Sequence, residues 1–276
     1  MLQRLLAVSA ILFVVATYAS AQQSPHDLVR DVVYNELHDR ERDSYWQYHS
    51  TRVTGSRTEL REQIETQQGP VYRVIEINGK PLDADQRKKE DARLTELLTN
   101  PRELARNKQN HEQDEERLHQ VLKILPEAFL FDYEGSATGD TVRIAFHPNP
   151  AFAPHSYEER ILHGLTGVAM VNQTQKRLID MSGKLIERID FGYGILGHVE
   201  KDGVFQIHRE QVNATHWKTS LVDVHVQGKI LLFSTITKDQ HEVRSGFRPV
   251  PLDISPVQAK EILDHAMPLP AESRLQ

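Results

Sequence analysis

Three histidines lie on consecutive segments in the second half of the chain that have the alternating pattern of β-strands. His208, His216 and His225 carry imidazole nitrogens, which are common zinc ligands. Because His225 has the opposite parity from His216, all three can face the same side of a sheet only across a β-bulge. We therefore interpret them as surface or hydrogen-bonded histidines and predict no metal site.

Acidic residues and glycines alternate between two predicted strands. Asp132, Glu134 and Asp140 resemble a calcium loop, but its twelfth position is Arg143, where an EF-hand needs a glutamate. The segment favours a hairpin loop. The chain also lacks the Gly-x-Ser-x-Gly, His-Glu-x-x-His and P-loop motifs. We predict no catalytic residues and no cofactor, and a hydrolase that uses loop carboxylates and histidines stays open.

Aromatic residues on predicted strands supply a candidate ligand-binding site. In a half-closed barrel some of these rings would face an internal cavity, and large apolar pockets are often lined by aromatic side chains. The alternative is that they belong to the core of the sheet. The candidates are Trp46, Tyr48, Phe131, Tyr133, Phe146 and Trp217.

The first 21 residues have the composition of a cleavable secretory signal. Arg4 precedes an uncharged run over residues 5–16, and Ala19-Ser20-Ala21 precedes polar residues. As a helix this run is roughly 18 Å long, against a hydrocarbon core of about 30 Å. We predict cleavage after Ala21, a mature chain of residues 22–276, and a periplasmic or secreted location.

Composition narrows the class of partner. The formal net charge is −6, which does not supply the basic face that nucleic acids require. The chain has no cysteine, so disulfides, thiolate metal sites and a lipid anchor on cysteine are excluded. No second apolar run is long enough to span a membrane, and we expect no integral membrane segment in the mature chain.

Helical periodicity appears in three places. Residues 26–43 predict an amphipathic opening helix, and Ser255 with Pro256 predicts the start of a closing helix that runs to His265. Residues 82–126 are charged and poor in β-branched residues. They predict two or three helices, broken near Asn100-Pro101 and ended at Pro126, which form an insertion.

The remaining pattern is that of β-strands. A three-strand meander runs from Tyr45 to Ile77, strands follow over 128–133 and 141–147, and a long series covers 167–238. Its predicted turns are Ser182-Gly183, Asp202-Gly203 and Gln227-Gly228. We predict one α+β domain: a large curved antiparallel sheet, an incomplete β-barrel, with helices covering its concave face and the charged helical insertion 82–126.

This order of elements resembles that of the LolA/LolB-like superfamily, the bacterial lipoprotein-sorting fold. The resemblance covers roughly residues 27–251 and includes Gly167-Val-Ala-Met-Val-Asn172 followed by Lys176-Arg-Leu-Ile-Asp180. It implies a half-barrel whose concave apolar face holds acyl chains or a hydrophobic partner segment. The chain departs from the family in its long insertion, residues 83–117, and in having no cysteine for a lipid anchor.

The sequence thus predicts an exported, non-enzymatic cell-envelope protein that binds a lipid or a lipidated protein. Buried methylenes alone can hold such a ligand, which makes the lack of catalytic motifs expected. The alternative is an envelope sensor or scaffold module that binds a partner protein through its helical insertion.

Overall fold

The computed structural model describes residues 23–42, 45–191, 197–230 and 234–265. The predicted signal lies outside them. The described helices are α1 (Pro25–Arg42), α2 (Ala84–Thr99), α3 (Pro101–Ala128), α4 (Tyr157–His163) and α5 (Pro256–Asp264). The described strands are β1 (Tyr45–Thr54), β2 (Arg57–Ile64), β3 (Val71–Ile77), β4 (Lys80–Pro81), β5 (Phe129–Tyr133), β6 (Thr141–Pro148), β7 (Leu165–Asn172), β8 (Arg177–Leu185), β9 (Ile189–Phe191), β10 (Gly197–Val199), β11 (Val204–Gln211), β12 (Trp217–Ile230) and β13 (Ser234–Val250).

Side-chain caps set the starts of the helices. Asp83 and Ser255 each form a capping box at the start of α2 and α5, and the Asn100 side chain caps α3 ahead of Pro101. The predicted break between α2 and α3 is therefore confirmed. Pro126 does not end α3, because it lies in the last turn and the helix continues to Ala128.

The described strands form one open antiparallel sheet of thirteen strands that is not closed into a barrel. Its order is β4-β3-β2-β1-β13-β12-β11-β8-β7-β6-β5, and β9 and β10 lie off this path. The predicted meander is confirmed as β1, β2 and β3. The pairing of β1 with β13 joins the first and last long strands of the described chain in the middle of the sheet.

Two of the predicted turns are wrong. Ser182 and Gly183 lie inside β8, and Gln227 and Gly228 lie inside β12. Gly183 pairs with Gly167 of β7, and Gly228 pairs with Val199 of β10. In each case the glycine marks a close approach of two backbones inside the sheet, which is a second common use of a strand glycine.

One row of directly paired residues crosses most of the sheet and defines what we call the α1 face. Directly opposed residues of antiparallel strands share a face. The neighbouring row lies on the opposite side, which we call the α5 face. The α1-face row is Ile144, Ala169, Met181, Ile207, Val222, Glu242, Arg52 and Glu59. The α5-face row is Arg143, Met170, Asp180, His208, Leu221, Val243, Thr51 and Leu60.

The helices are divided between these two faces. On the α1 face, Leu28 and Val32 of α1 pack on Val142, Ile144, Ala169 and Val171 of β6 and β7. On the α5 face, Leu94 of α2 and Ala259 and Leu263 of α5 pack on Ile64 and Val71.

The prediction that all the helices cover one face is therefore wrong for α2 and α5. The apolar positions change sides across the sheet: the α1-face row ends in Glu242, Arg52 and Glu59, and Leu60 on the α5 face is buried. A helix packs where the apolar positions are, because burial of apolar surface is the dominant gain.

Candidate functional site

Four apolar side chains occupy the middle of the α1 face and form what we call the central strip. The strip consists of Phe205, Ile207, Val222 and Val224, which pair across β11 and β12 as Phe205 with Val224 and Ile207 with Val222. All four are half-buried. Ile207, Val222 and Val224 belong to none of the four buried apolar clusters that the described residues form. The strip thus continues the apolar surface of the α1 face beyond the residues of β6 and β7 on which α1 packs.

A charged cluster adjoins the strip at the end of β11. Arg209 follows Ile207 by two residues and shares its face, and its Nη1 forms an ion pair with Glu36 of α1. Arg177 Nη1 lies 4.0 Å from the other oxygen of this carboxylate. The three side chains are only 11–14% exposed. Two guanidinium groups thus lie beside one carboxylate at the end of the apolar strip.

A second polar group borders the strip on the side of β13 and β1. Glu242, paired with Val222, accepts hydrogen bonds from Arg244 Nε at 2.8 Å and from Ser50 Oγ at 2.9 Å. Although burial opposes the effect, the Arg244 charge and these two hydrogen bonds lower the pKa of Glu242. Glu242 therefore stays ionised and paired on this side of the strip.

The six aromatic residues predicted from the sequence are placed in three separate regions. Phe131, Tyr133 and Phe146 lie at the β5–β6 end of the α1 face, where Phe146 is buried against Phe129. The first two pack partly against the cluster under α1. The Tyr133 hydroxyl donates to the Gln23 carbonyl at 2.8 Å. These three side chains therefore lie close together, but they pack in or against buried apolar clusters.

The other three aromatic candidates lie on the middle strands of the sheet, Trp46 and Tyr48 on β1 and Trp217 at the start of β12. Trp46 is buried, with Lys218 Nζ 5.0 Å from its ring. Tyr48 is buried, accepts a 2.6 Å hydrogen bond from Gln63, and has a pKa that burial raises. Trp217 lies beside the charged cluster, because its backbone carbonyl accepts a hydrogen bond from Arg209 Nη2 at 2.8 Å.

The described surface includes open clefts. One of about 660 Å³ lies over β6, β7, β8 and β11 and includes Ala145, Val168 and Ser182 of the α5 face. Another, of about 600 Å³, lies between α1 and α3 and includes Tyr34, Leu37 and Lys123. Neither cleft is lined by any of the six aromatic candidates.

Two of the three histidines considered from the sequence pair with carboxylates. His208 Nδ1 lies 3.4 Å from Asp180 Oδ2, and His225 forms a close pair with Asp239. His216 instead contacts Asn213 and Thr215 in the β11–β12 hairpin. Within the described ranges, no three His, Asp or Glu side chains are grouped so that they could hold a metal ion.

The central strip and Arg209 were not among the residues predicted from the sequence. The signal for the strip was present, because polar Gln206 separates Phe205 from Ile207 and polar Asp223 separates Val222 from Val224. No local sequence pattern indicated the charged cluster, because Glu36 and Arg209 are 173 positions apart in the sequence. Only the packing of α1 on the sheet brings them together.

Comparisons with protein-family models, with curated proteins and with solved structures find no match to this chain. The resemblance to the LolA/LolB-like superfamily stays a prediction. Among the described helices, none combines the length and the apolar composition that a membrane crossing needs.

Proposed function

We propose that this is an exported, non-enzymatic protein that binds a lipid or the acyl chain of a lipidated protein on the central strip. The proposal needs the sheet to curl, as an incomplete barrel does, so that the strip forms the floor of a trough bordered by α1. It is supported by one observation above all: Ile207, Val222 and Val224 are half-buried apolar residues of the α1 face that lie outside the clusters formed by the described part of the chain.

The expected gain in free energy is sufficient for a lipid. Each buried methylene contributes about 0.8 kcal/mol, so a chain that lays about eight methylenes on the strip would gain roughly 6 kcal/mol. The cost of association offsets part of this gain, so one chain should bind with a dissociation constant on the order of 10⁻⁴ M. No polar contact is needed to reach it.

A matched pair of substitutions tests the proposal. Val222→Asn places an amide in the central strip, whereas Val204→Asn makes the same change on the α5 face at a residue that is 47% exposed. We expect Val222→Asn to weaken binding of a fluorescent long-chain fatty acid at least tenfold, and Val204→Asn to leave it unchanged. Native mass spectrometry of the exported protein should also show a co-purifying lipid.

Either of two results would overturn the proposal. One is a protein that neither retains a lipid nor binds the fatty-acid probe. The other is equal probe binding by the two variants, since the ligand would then lie somewhere other than the strip.

The alternative, a scaffold module, is favoured by the surface of α3. This helix has 28 residues, and most of those between Arg102 and Leu118 are exposed and polar. Charge reversal at Lys108 and Arg117, exposed by 51% and 71%, would then reduce the native size of an envelope complex that contains the protein. Unchanged size would count against this role.

A further inference from the structure

We infer that α3 is a hinged lid over the central strip, and that its contact with the β2–β3 turn, residues 65–70, is the latch that holds it closed. This inference rests on the proposed function and adds how a ligand enters and leaves. The helix joins opposite ends of the sheet. Asn107 of α3 donates hydrogen bonds to the carbonyls of Gln68 and Pro70 at 2.9 and 3.2 Å, and Ala128 leads directly into β5.

The length of α3 requires the sheet to curl toward it. At about 1.5 Å per residue, the helix spans roughly 32 Å from Asn107 to Ala128. In the sheet order β2 is the third strand and β5 the eleventh, and eight spacings amount to about 38 Å across a flat sheet.

The register adds a further distance along the strands. The row through Leu60 of β2 reaches Arg143 of β6, whose carbonyl accepts from the Glu134 amide at the end of β5. Eight antiparallel pairings leave β2 and β5 running in the same direction. Because the β2–β3 turn follows Leu60 whereas Ala128 precedes Glu134, the two offsets add. The helix can therefore join these ends only as the chord of a trough.

The central strip lies beneath this chord. α3 lies beside α1, with an open cleft between them, so the concave side of the trough is the α1 face. β12 and β11, which carry the strip, are the sixth and seventh of the eleven strands in the sheet order. They are midway between the two ends that α3 joins, so the helix crosses above the strip.

α3 has the properties of an element that can move. Of its 28 residues, all of which lie in the described part of the chain, only Ala128 is buried. Elements with little buried surface open at a low free-energy cost, and lids belong to this class. Each end also has a hinge. Asn100 is extended between α2 and α3, with φ −96° and ψ 108°, and Pro126 lacks the backbone N–H that would bond within the last turn.

The latch is a close contact between α3 and a glycine of the turn. A Cβ atom at Gly69 would lie 2.7 Å from Asn107 Nδ2 and 3.0 Å from the Asn107 carbonyl oxygen. Gly79 also has a positive φ, +72° against +87° for Gly69, but its Cβ would meet nothing within 4 Å. The two glycines thus share the same backbone strain on substitution, and Gly69 alone of the pair touches the lid.

Exchange of cis-parinaric acid, followed by stopped-flow fluorescence, tests the lid. Asn107→Ala removes the hydrogen bonds of the latch, and we expect the association and dissociation rate constants each to rise about fivefold, because the lid opens for both steps. The dissociation constant should change by less than about twofold, since the latch is the same in the free and occupied protein. Asn110→Ala, at an exposed residue of the same helix, should leave both rate constants unchanged.

The glycine pair gives a second, matched comparison. Gly69→Ala should raise both rate constants, and Gly79→Ala should raise neither. Unchanged rate constants in Asn107→Ala and Gly69→Ala would overturn the lid. So would faster dissociation with a proportional loss of affinity, because Asn107 would then support the binding site itself.

Spin labels test the lid without a ligand. The chain has no cysteine, so Lys80→Cys on β4 and Gln113→Cys on α3, both at exposed residues, supply two unique attachment sites. The distribution of distances between the labels should broaden when Asn107→Ala is added, and an unchanged distribution counts against the lid. If cis-parinaric acid does not bind the unaltered protein, the proposed function fails, and this measurement still decides whether α3 moves.

Discussion

A methyl group added at Gly167 should strongly destabilise the protein, because two backbones meet there. Gly167 of β7 lies directly opposite Gly183 of β8. A Cβ atom at Gly167 would lie 2.6 Å from Gly183 Cα and 2.7 Å from Phe146 Cζ, and closer still to the Ser182 carbonyl oxygen. Two of these three atoms belong to the backbone, so a side-chain rotation cannot relieve the overlap.

The magnitude follows from two opposing effects. Overpacking of this kind costs typically 1–3 kcal/mol, and here the value should lie near the top of that range because strands must separate. Replacing glycine returns about 0.4–1 kcal/mol by restricting the unfolded chain. We expect Gly167→Ala to lower the free energy of unfolding by about 2 kcal/mol.

Urea denaturation followed by circular dichroism measures this change. With a slope of about 2–3 kcal/mol/M, the midpoint should fall by nearly 1 M. Gly203→Ala is the control, since its Cβ would meet its nearest neighbour, Val226 Cγ2, at 3.3 Å, and its midpoint should move by less than about 0.2 M. If both variants unfold at the same urea concentration, β7 and β8 do not place the two glycines opposite each other.

Three further predictions concern the core and buried ionisable groups. Leu94→Ala, at a fully buried residue, should cost about 2–5 kcal/mol in thermal or urea unfolding, whereas Leu118→Ala, at a residue 37% exposed, should cost less than about 1. Burial lowers the pKa of His49 despite the opposing charge of Glu62. Below about pH 6.5, His49 therefore binds a proton more readily in the unfolded chain than in the folded one. The free energy of unfolding should fall as the pH decreases through this range. His49→Gln should flatten this part of the stability curve, and the exposed control His155→Gln should not. Because the pKa of Glu242 is also lowered, its contribution to stability is present above about pH 4.5 and is lost in more acidic solution. Glu242→Gln should reduce the loss of stability in that acidic range, and an unchanged acid transition would contradict the pairing with Arg244.

Periodicity alone predicted the elements of the chain well. The opening helix, the meander, the break at Asn100-Pro101 and the closing helix capped by Ser255 were all determined by local patterns and by caps. These are interactions between residues a few positions apart. Their energies are set within the segment itself, so the sequence is sufficient to predict them.

The tertiary structure decided how these elements meet. Glycine at positions 183 and 228 fits a turn and a close strand contact equally well, and only the neighbouring strands select the second. The division of the helices between two faces, and the approach of Glu36 to Arg209, follow from a register that passes through eight strands. A shift of one residue in any pair would reverse the faces beyond it, so no local pattern carries this information.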